Sequence, residues 1–382
     1  MSWTTRLSRG AAALALSLTA LGAYAGPYSN MYVFGDSLSD SGNDLQLFAA
    51  PDPAKSLQAA DLPASSYYTD GTNTGRFTNG LNYADRLADS FGLTLTPSTP
   101  PIGGNNYAHG GARSQYVRGD VALYGALSFN QQIDSYLTRS GGVADPNALY
   151  VLWIGANDMA DALGLWLLNG GTAASLNIIS DEAEQTVRDI VTAFVTLQTL
   201  GAKNFLIGNS PDLSLTPLAR ETAAMVAANV IAATAGDPAN EPFIAQSILN
   251  VFQGASVGFN TALAATLPGY AAPTTSVTYF DAFALQTAMT ANPAAYGLTN
   301  VTSACYDGQV DGSPTPGTSA VSECPNESEY LYYDLEHPSA VLHDWAARTM
   351  YAQLVVPEPG ELALSLTALG LMGFFGRRRS RA

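Results

Sequence analysis

A serine hydroxyl is a weak nucleophile at neutral pH and needs an adjacent base before it can attack a carbonyl. Histidine is the side chain whose ordinary titration suits that task, and the chain has only three: His109, His337 and His343. His337 has a carboxylate three residues upstream, Asp334, which could hold its ring in one tautomer. At the other end of the chain, Phe34-Gly35-Asp36-Ser37-Leu38-Ser39-Asp40-Ser41-Gly42-Asn43 follows directly on the apolar run from Met31 to Phe34. A small-residue turn at the C-terminal edge of a parallel sheet would present Ser37 in the crevice where such folds bind ligands. A helix starting there would add free N–H groups that favour developing negative charge. Read alone, Gly-Asp-Ser is a weak signal, more often a polar turn.

The elements that must position these groups follow from hydrophobic periodicity. Met31–Phe34 and Ala148–Ile154 are short apolar runs, the pattern of strands buried on both faces, and Phe205–Ile207 and Ser276–Phe280 read as a third and a fourth strand. Helical spacing covers Gly80–Gly92 and Phe129–Leu137. It also covers Asp181–Leu200, with Ser180 as cap and Gly201 as stop, and Glu241–Leu267. Ser339–Leu354 closes the series, with Pro338 at its start. Strands alternating with amphipathic helices predict a three-layer α/β/α fold around a mostly parallel sheet. The stretches 50–75 and 303–330, rich in Pro, Gly and Ser, read as loops.

Four blocks in order resemble the GDSL (SGNH) hydrolase family. The string around Ser37 resembles block I, whose serine is the nucleophile. Asn105-Asn106-Tyr107-Ala108-His109-Gly110-Gly111-Ala112 resembles block II, whose glycine gives a backbone N–H to the oxyanion hole; the alignment favours Gly111, with Gly110 close behind. Gly155-Ala156-Asn157-Asp158 resembles block III, whose asparagine is a further donor, and Asp334-Leu335-Glu336-His337-Pro338 resembles block V. Thr74 to Gly80 also resembles a stretch common in the larger members. The likeness runs from about residue 30 to 352. It implies a flavodoxin-like SGNH fold, catalysis by Ser37, Asp334 and His337, and an oxyanion hole from the N–H groups of Ser37 and Gly111 and the Asn157 amide. Each such donor typically contributes about 3–4 kcal/mol of transition-state stabilisation.

Other assignments compete at single positions. Asn157 could cap the helix after its strand. Asp334 could cap the last helix, leaving Glu336 to orient His337. His109 sits beside the oxyanion glycine, where a substrate contact and a structural role are both open. His343 reads as a packing or surface residue, and Asp36 as a turn residue.

Both termini differ from the rest. Residues 1–25 carry Arg6 and Arg9, an apolar run from Ala11 to Leu21, and Ala23-Tyr24-Ala25, the layout of a secretory signal peptide. Val356-Pro357-Glu358-Pro359-Gly360 precedes an apolar stretch from Leu362 to Phe375, then Arg377, Arg378, Arg379 and Arg381. That stretch falls short of the roughly 20 residues that span a bilayer comfortably, and its basic end favours the cytoplasmic side. The tail, 356–382, resembles the PEP-CTERM sorting signal of Gram-negative bacteria, which implies processing by an exosortase and at least transient membrane contact. Between the two lies one hydrolase domain, 26–355. The resemblance and the termini together imply an exported protein of the cell envelope or extracellular matrix.

The chain has 382 residues, 47% hydrophobic and 13% charged, enough for one sizeable core. Its net charge is −16; without the termini it stands near −20, because six of sixteen basic and two of thirty-two acidic residues leave with them. Such a surface repels nucleic acid and anionic polysaccharide. With export, Cys305 and Cys324 are expected to form a disulfide. Neither a phosphate loop, a dinucleotide fingerprint nor a metal cluster appears, so no cofactor is expected. No Gly-x-Ser-x-Gly elbow follows an expected strand, since Gly254-Ala255-Ser256-Val257-Gly258 falls inside the helical stretch Glu241–Leu267, which disfavours the larger α/β-hydrolase class. The expected activity is cleavage of lipid or simple acyl esters through an acyl-serine, with acyl transfer close to it. The rivals are deacetylation of exopolysaccharide and a non-catalytic matrix protein on the same scaffold.

Overall fold

The computed structural model describes residues 27–49, 75–117, 125–308 and 322–355. The four expected strands form and run parallel, β1 (Met31–Gly35), β2 (Leu149–Trp153), β3 (Asn204–Gly208) and β4 (Ser276–Phe280), in that order across one sheet. Register sets Val33 beside Val151, Val151 beside Leu206 and Leu206 beside Thr278. The helices among the described residues are α1 (Asn43–Ala49), α2 (Tyr83–Ser90), α3 (Phe129–Ser140), α4 (Ala156–Leu168), α5 (Asn177–Thr199), α6 (Pro217–Thr234), α7 (Glu241–Thr266), α8 (Ala282–Ala291) and α9 (Ala340–Val355).

Side chains alternate between the faces of a strand, and here both faces are apolar because both are covered. Phe34, Tyr150, Leu152, Phe205 and Ile207 enter one core with Phe129 of α3, Phe194 of α5 and Phe259 of α7. Val33, Val151, Trp153 and Leu206 point the other way, against Tyr83 and Leu87 of α2, Met289 of α8 and Ala346 of α9. The result is the expected three-layer α/β/α fold with a central parallel sheet. The free edge of β1 is paired by the segment around Asn106. Val33 N–H donates to the Asn105 carbonyl at 3.1 Å, Tyr107 N–H to that of Val33 at 2.7 Å, and His109 N–H to that of Gly35 at 3.2 Å.

Several local expectations need correction. α5 begins at Asn177, so Ser180 lies inside its first turn and donates to the Asn177 carbonyl at 3.1 Å instead of capping. α6 and α8 were not foreseen. α6 starts with Thr216 as cap and Pro217 at its first position, but its alanine-rich body carries little contrast between faces. The 303–330 stretch is bounded by structure: β5 (Asn300–Ala304) and β6 (Tyr330–Tyr332) pair in parallel as a second, two-stranded sheet. The expected signal peptide, the 50–74 part of the first loop and the 356–382 tail lie outside the described residues. Among the described residues no helix is long and apolar enough to cross a membrane.

Candidate active site

β1 ends against β2 so closely that a side chain at position 35 would collide with the Trp153 carbonyl oxygen, which is why glycine stands there. Gln132 of α3 then closes the strand end: its side chain accepts from Gly35 N–H at 2.9 Å and donates to the Gly35 carbonyl at 2.8 Å. The chain turns tightly after it. Ser39 and Asp40 both donate their N–H to the Asp36 carbonyl at 3.0 Å, and Leu38 N–H reaches the Asp36 carboxylate at 3.0 Å. Among the described residues, the Ser37 N–H is left without a hydrogen-bond acceptor.

His337 meets that turn from 300 residues away in sequence. Its Nε2 lies 2.9 Å from Ser37 Oγ, and its Nδ1 lies 2.7 Å from Asp334 Oδ2. The other Asp334 oxygen accepts the N–H of Glu336 at 2.7 Å and of His337 at 2.5 Å. Asp334 therefore folds its own Asp-x-x-His turn and does not cap α9, whose first turn is served by Ser339 Oγ accepting from Val341 N–H at 3.3 Å. Burial by itself would lower the His337 pKa; the adjoining Asp334 carboxylate outweighs it and pushes the ring up to about 9. Burial likewise opposes ionisation of Asp334, but the His337 charge and the two N–H donors hold it below the usual carboxylate range. Asp36, buried beside this pair, is pushed up to about 7 by desolvation.

The loop after Gly110 is fastened to the first turns of α4. Asn157 Nδ2 donates to the Ala112 carbonyl at 3.0 Å, Asp158 accepts Ser114 N–H at 2.9 Å, and Arg113 forms a two-point contact with Asp161 at 2.7 Å. Asn157 is the second residue of α4, not its cap. One of its two amide hydrogens is used on Ala112, leaving the other available. Gly111, at φ +68°, makes a left-handed turn that favours glycine. Its carbonyl accepts from Arg113 at 2.7 Å, and among the described residues its N–H has no acceptor, whereas Gly110 N–H goes to Asp40 at 3.2 Å. Asn157 and Gly111 are thus tied together through Ala112.

A polar layer joining the turn of Ser37 to the 105–112 segment was missed. Asp40 accepts the N–H groups of Gly42 at 2.7 Å, Asn43 at 2.6 Å and Asp44 at 3.2 Å, so it caps the short helix α1 while also holding Gly110. Asn43 donates to the Asn106 and Ala108 carbonyls, and Asn106 donates to that of Ser39. The only available signal was the presence of Asp40 and Asn43 within the string around Ser37. His109 lies in this layer, its Nδ1 at 2.9 Å from Asp44 Oδ1. Burial drives His109 down to about 4 and holds Asp44 well above the usual carboxylate range, so desolvation disfavours the charged form of both partners. His343 is buried and accepts Tyr83 N–H at 3.2 Å, a packing role.

Ser37, Asn157 and His337 open onto one cavity of about 310 Å³, lined beyond them by Leu163, Leu167, Leu213, Phe252 and Phe280. The apolar wall with a few convergent polar groups at one end is the usual form of a small-molecule site. Cys305 and Cys324 lie away from it, their sulfur atoms 1.93 Å apart.

Comparison with known proteins shows several relatives named as esterases, lipases or acyltransferases. Esterase EstA of Pseudomonas aeruginosa is 31% identical over 91% of this chain and 50% of its own, so the chain spans about half of that protein. A GDSL esterase/lipase of Arabidopsis thaliana is 27% identical over 84% of each chain. A phosphatidylcholine-sterol acyltransferase of Aeromonas hydrophila is 26% identical over 78% of this chain and 71% of its own. With the GDSL-like lipase/acylhydrolase profile matching residues 31–350, from the first strand into the last helix, the chain belongs to that family and is an ester hydrolase.

Proposed function

We propose that the protein is an exported serine hydrolase cleaving lipid or simple acyl esters through a covalent acyl-Ser37. His337 Nε2 takes the Ser37 proton as Oγ bonds to the ester carbon, and the carbonyl electrons move onto oxygen. The N–H groups of Ser37 and Gly111 and the free Asn157 amide hydrogen stabilise that anion. Its collapse breaks the bond to the alcohol, which leaves with the proton from His337. Water then attacks the acyl-serine with His337 again as base, releasing the acid and restoring the hydroxyl. Asp334 keeps the ring in the Nδ1–H tautomer throughout.

The observation that carries this reading is the unbroken chain Ser37–His337–Asp334 at the polar end of an apolar cavity. An acetylated sugar would leave those apolar walls facing hydroxyls, so a longer acyl chain is favoured over acetate. Export rests on the basic start, apolar run and Ala-x-Ala site of residues 1–25, and a sorting role for 356–382 on its Pro-Glu-Pro, apolar and basic order, with an exosortase-type enzyme as processing partner. A Cys305–Cys324 disulfide fits an exported protein.

The test is fluorophosphonate labelling with peptide mapping, together with p-nitrophenyl esters of increasing chain length. Label on Ser37, absent in Ser37→Ala, with best turnover on esters longer than acetate, is expected. Turnover confined to acetate would refute the acyl-chain preference. Label elsewhere, or activity retained by Ser37→Ala, would refute the mechanism.

A further inference from the structure

The apolar lining of the cavity does not stop at its mouth. α4, α6 and α7 contribute, with Ile179 of α5, to one hydrophobic cluster in which Leu163, Trp166, Ala223, Ile248 and Phe252 take part. On α4 the lining residues Ala160, Leu163, Gly164 and Leu167 form one stripe. Four residues beyond Gly164 that stripe reaches Leu168, which is 84% exposed. On α6 the lining residues Leu218 and Thr222 continue three residues later to Met225, 59% exposed. Residues three and four apart share a helix face, so two helices carry apolar side chains from the cavity wall out into solvent. Leu165 on α4 adds to the same exposed end at 52%.

Charge is distributed in a matching way. The chain carries −16, yet residues 162–180, 222–236 and 242–280 contain no Asp, Glu, Lys or Arg. Leu165, Leu168 and Met225 lie in these uncharged stretches, with the exposed Glu221 one turn before Met225, and exposed apolar groups so gathered mark a contact with something apolar. Those stretches lack the cations that bind anionic headgroups, and the acidic remainder of the chain repels an anionic surface. A neutral or zwitterionic lipid surface suffers neither disadvantage, and the stripe leads from such a surface directly into the cavity.

We propose that the exposed ends of the α4 and α6 stripes, around Leu168 and Met225, form a docking surface for a zwitterionic lipid–water interface, from which the ester enters the cavity. This rests on the reading of the cavity as the acyl site. Docking buries Leu168 and Met225 in the lipid while Ser37 stays beneath the interface.

The full chain with Ser37→Ala and a single added cysteine tests it, because the native Cys305 and Cys324 are bonded to each other. An environment-sensitive dye on Met225→Cys should shift to the blue with phosphatidylcholine vesicles. The same dye on Val143→Cys should not, because that residue, 66% exposed, precedes β2 at the opposite end of the strands. Equal shifts at both positions, no shift at either, or a shift only with anionic vesicles would overturn the proposal. A concentration-dependent dimer with no vesicle response would replace it with a protein interface. In the active chain, Leu168→Ser with Met225→Ser should keep kcat/KM on soluble p-nitrophenyl butyrate within about twofold. Turnover of an ester carried in phosphatidylcholine vesicles should fall about tenfold or more, as expected for two side chains no longer buried. Equal losses on both substrates would count against docking. Loss of soluble activity in the parent would instead defeat the catalytic reading, while the dye still reports on docking.

Discussion

Replacing Asp334 by asparagine exchanges one oxygen for an NH2 group, and the geometry predicts a large catalytic loss with little loss of fold. The oxygen facing the backbone holds the Glu336 and His337 N–H groups at 2.7 and 2.5 Å, and an asparagine oxygen can keep both bonds. Its NH2 group then faces His337 Nδ1, where the carboxylate oxygen stood at 2.7 Å. Two N–H donors cannot pair, so the ring moves its proton to Nε2 and turns an N–H, not a lone pair, toward Ser37. That wrong-tautomer effect costs about 10⁴ in kcat where a triad aspartate is so replaced, or about 5 kcal/mol at 1.36 kcal/mol per tenfold. The pH profile supplies a second readout. The wild-type ring acts as base only when neutral, and Asp334 raises its pKa, so kcat/KM should rise with pH through an ionisation above the ordinary 6.5. Without the carboxylate, burial is opposed by less charge and the residual activity should rise at lower pH. The assay is p-nitrophenyl butyrate hydrolysis across pH, with circular dichroism and urea midpoints to verify the fold. Asp334→Asn retaining activity within tenfold of wild type would refute the reasoning. So would Glu336→Gln matching its loss, for then the neighbouring carboxylate orients the ring.

Asn157→Ala should lower kcat by about 10²–10³ with little change in KM, because the amide acts on charge that develops only in the transition state; a pure KM effect would assign it to substrate binding. Gly164 lines the cavity with nothing within 4 Å of where a Cβ would sit. Gly164→Leu should therefore fold at least as stably, since glycine inside a helix costs roughly 0.5–1 kcal/mol relative to alanine, while octanoyl esters lose activity and acetate keeps it. A chain-length profile unchanged by that side chain would show that the acyl group lies elsewhere. Reducing the Cys305–Cys324 bond, which closes a separation of 19 residues, should lower unfolding free energy by about 3 kcal/mol, measured by urea titration with and without reductant; two reactive thiols in the folded oxidised protein would contradict the bond.

The strands were legible because a sheet covered on both faces demands uninterrupted apolar runs, and Met31–Gly35 and Leu149–Trp153 are such runs. α6 and α8 were not, because alanine-rich helices are held by contacts with partners and not by a contrast of faces. β5 and β6 are short, three to five residues, and pair Asn300 with Tyr330 across 30 positions of sequence, which neither run signals by itself. The pairing of Asp334 with His337 was legible because both lie within one local turn. The polar layer around Asp40, Asn43 and Asn106 was hidden, since each residue taken alone suits any polar loop.

Residue types and their order determined the parallel α/β class and, read with the four blocks in sequence, singled out the chemical groups available: a serine in a tight turn, a histidine three residues after a carboxylate, and glycine and asparagine between them. Those properties depend on near neighbours in the chain. Only the folded protein decided that Ser37 lies 2.9 Å from His337, that among the described residues Gly111 and not Gly110 keeps an uncommitted N–H, and that α4 turns an apolar wall toward both. Such facts depend on packing between segments up to 300 residues apart, where the position of each group is fixed by the bodies it rests against and not by its own neighbours.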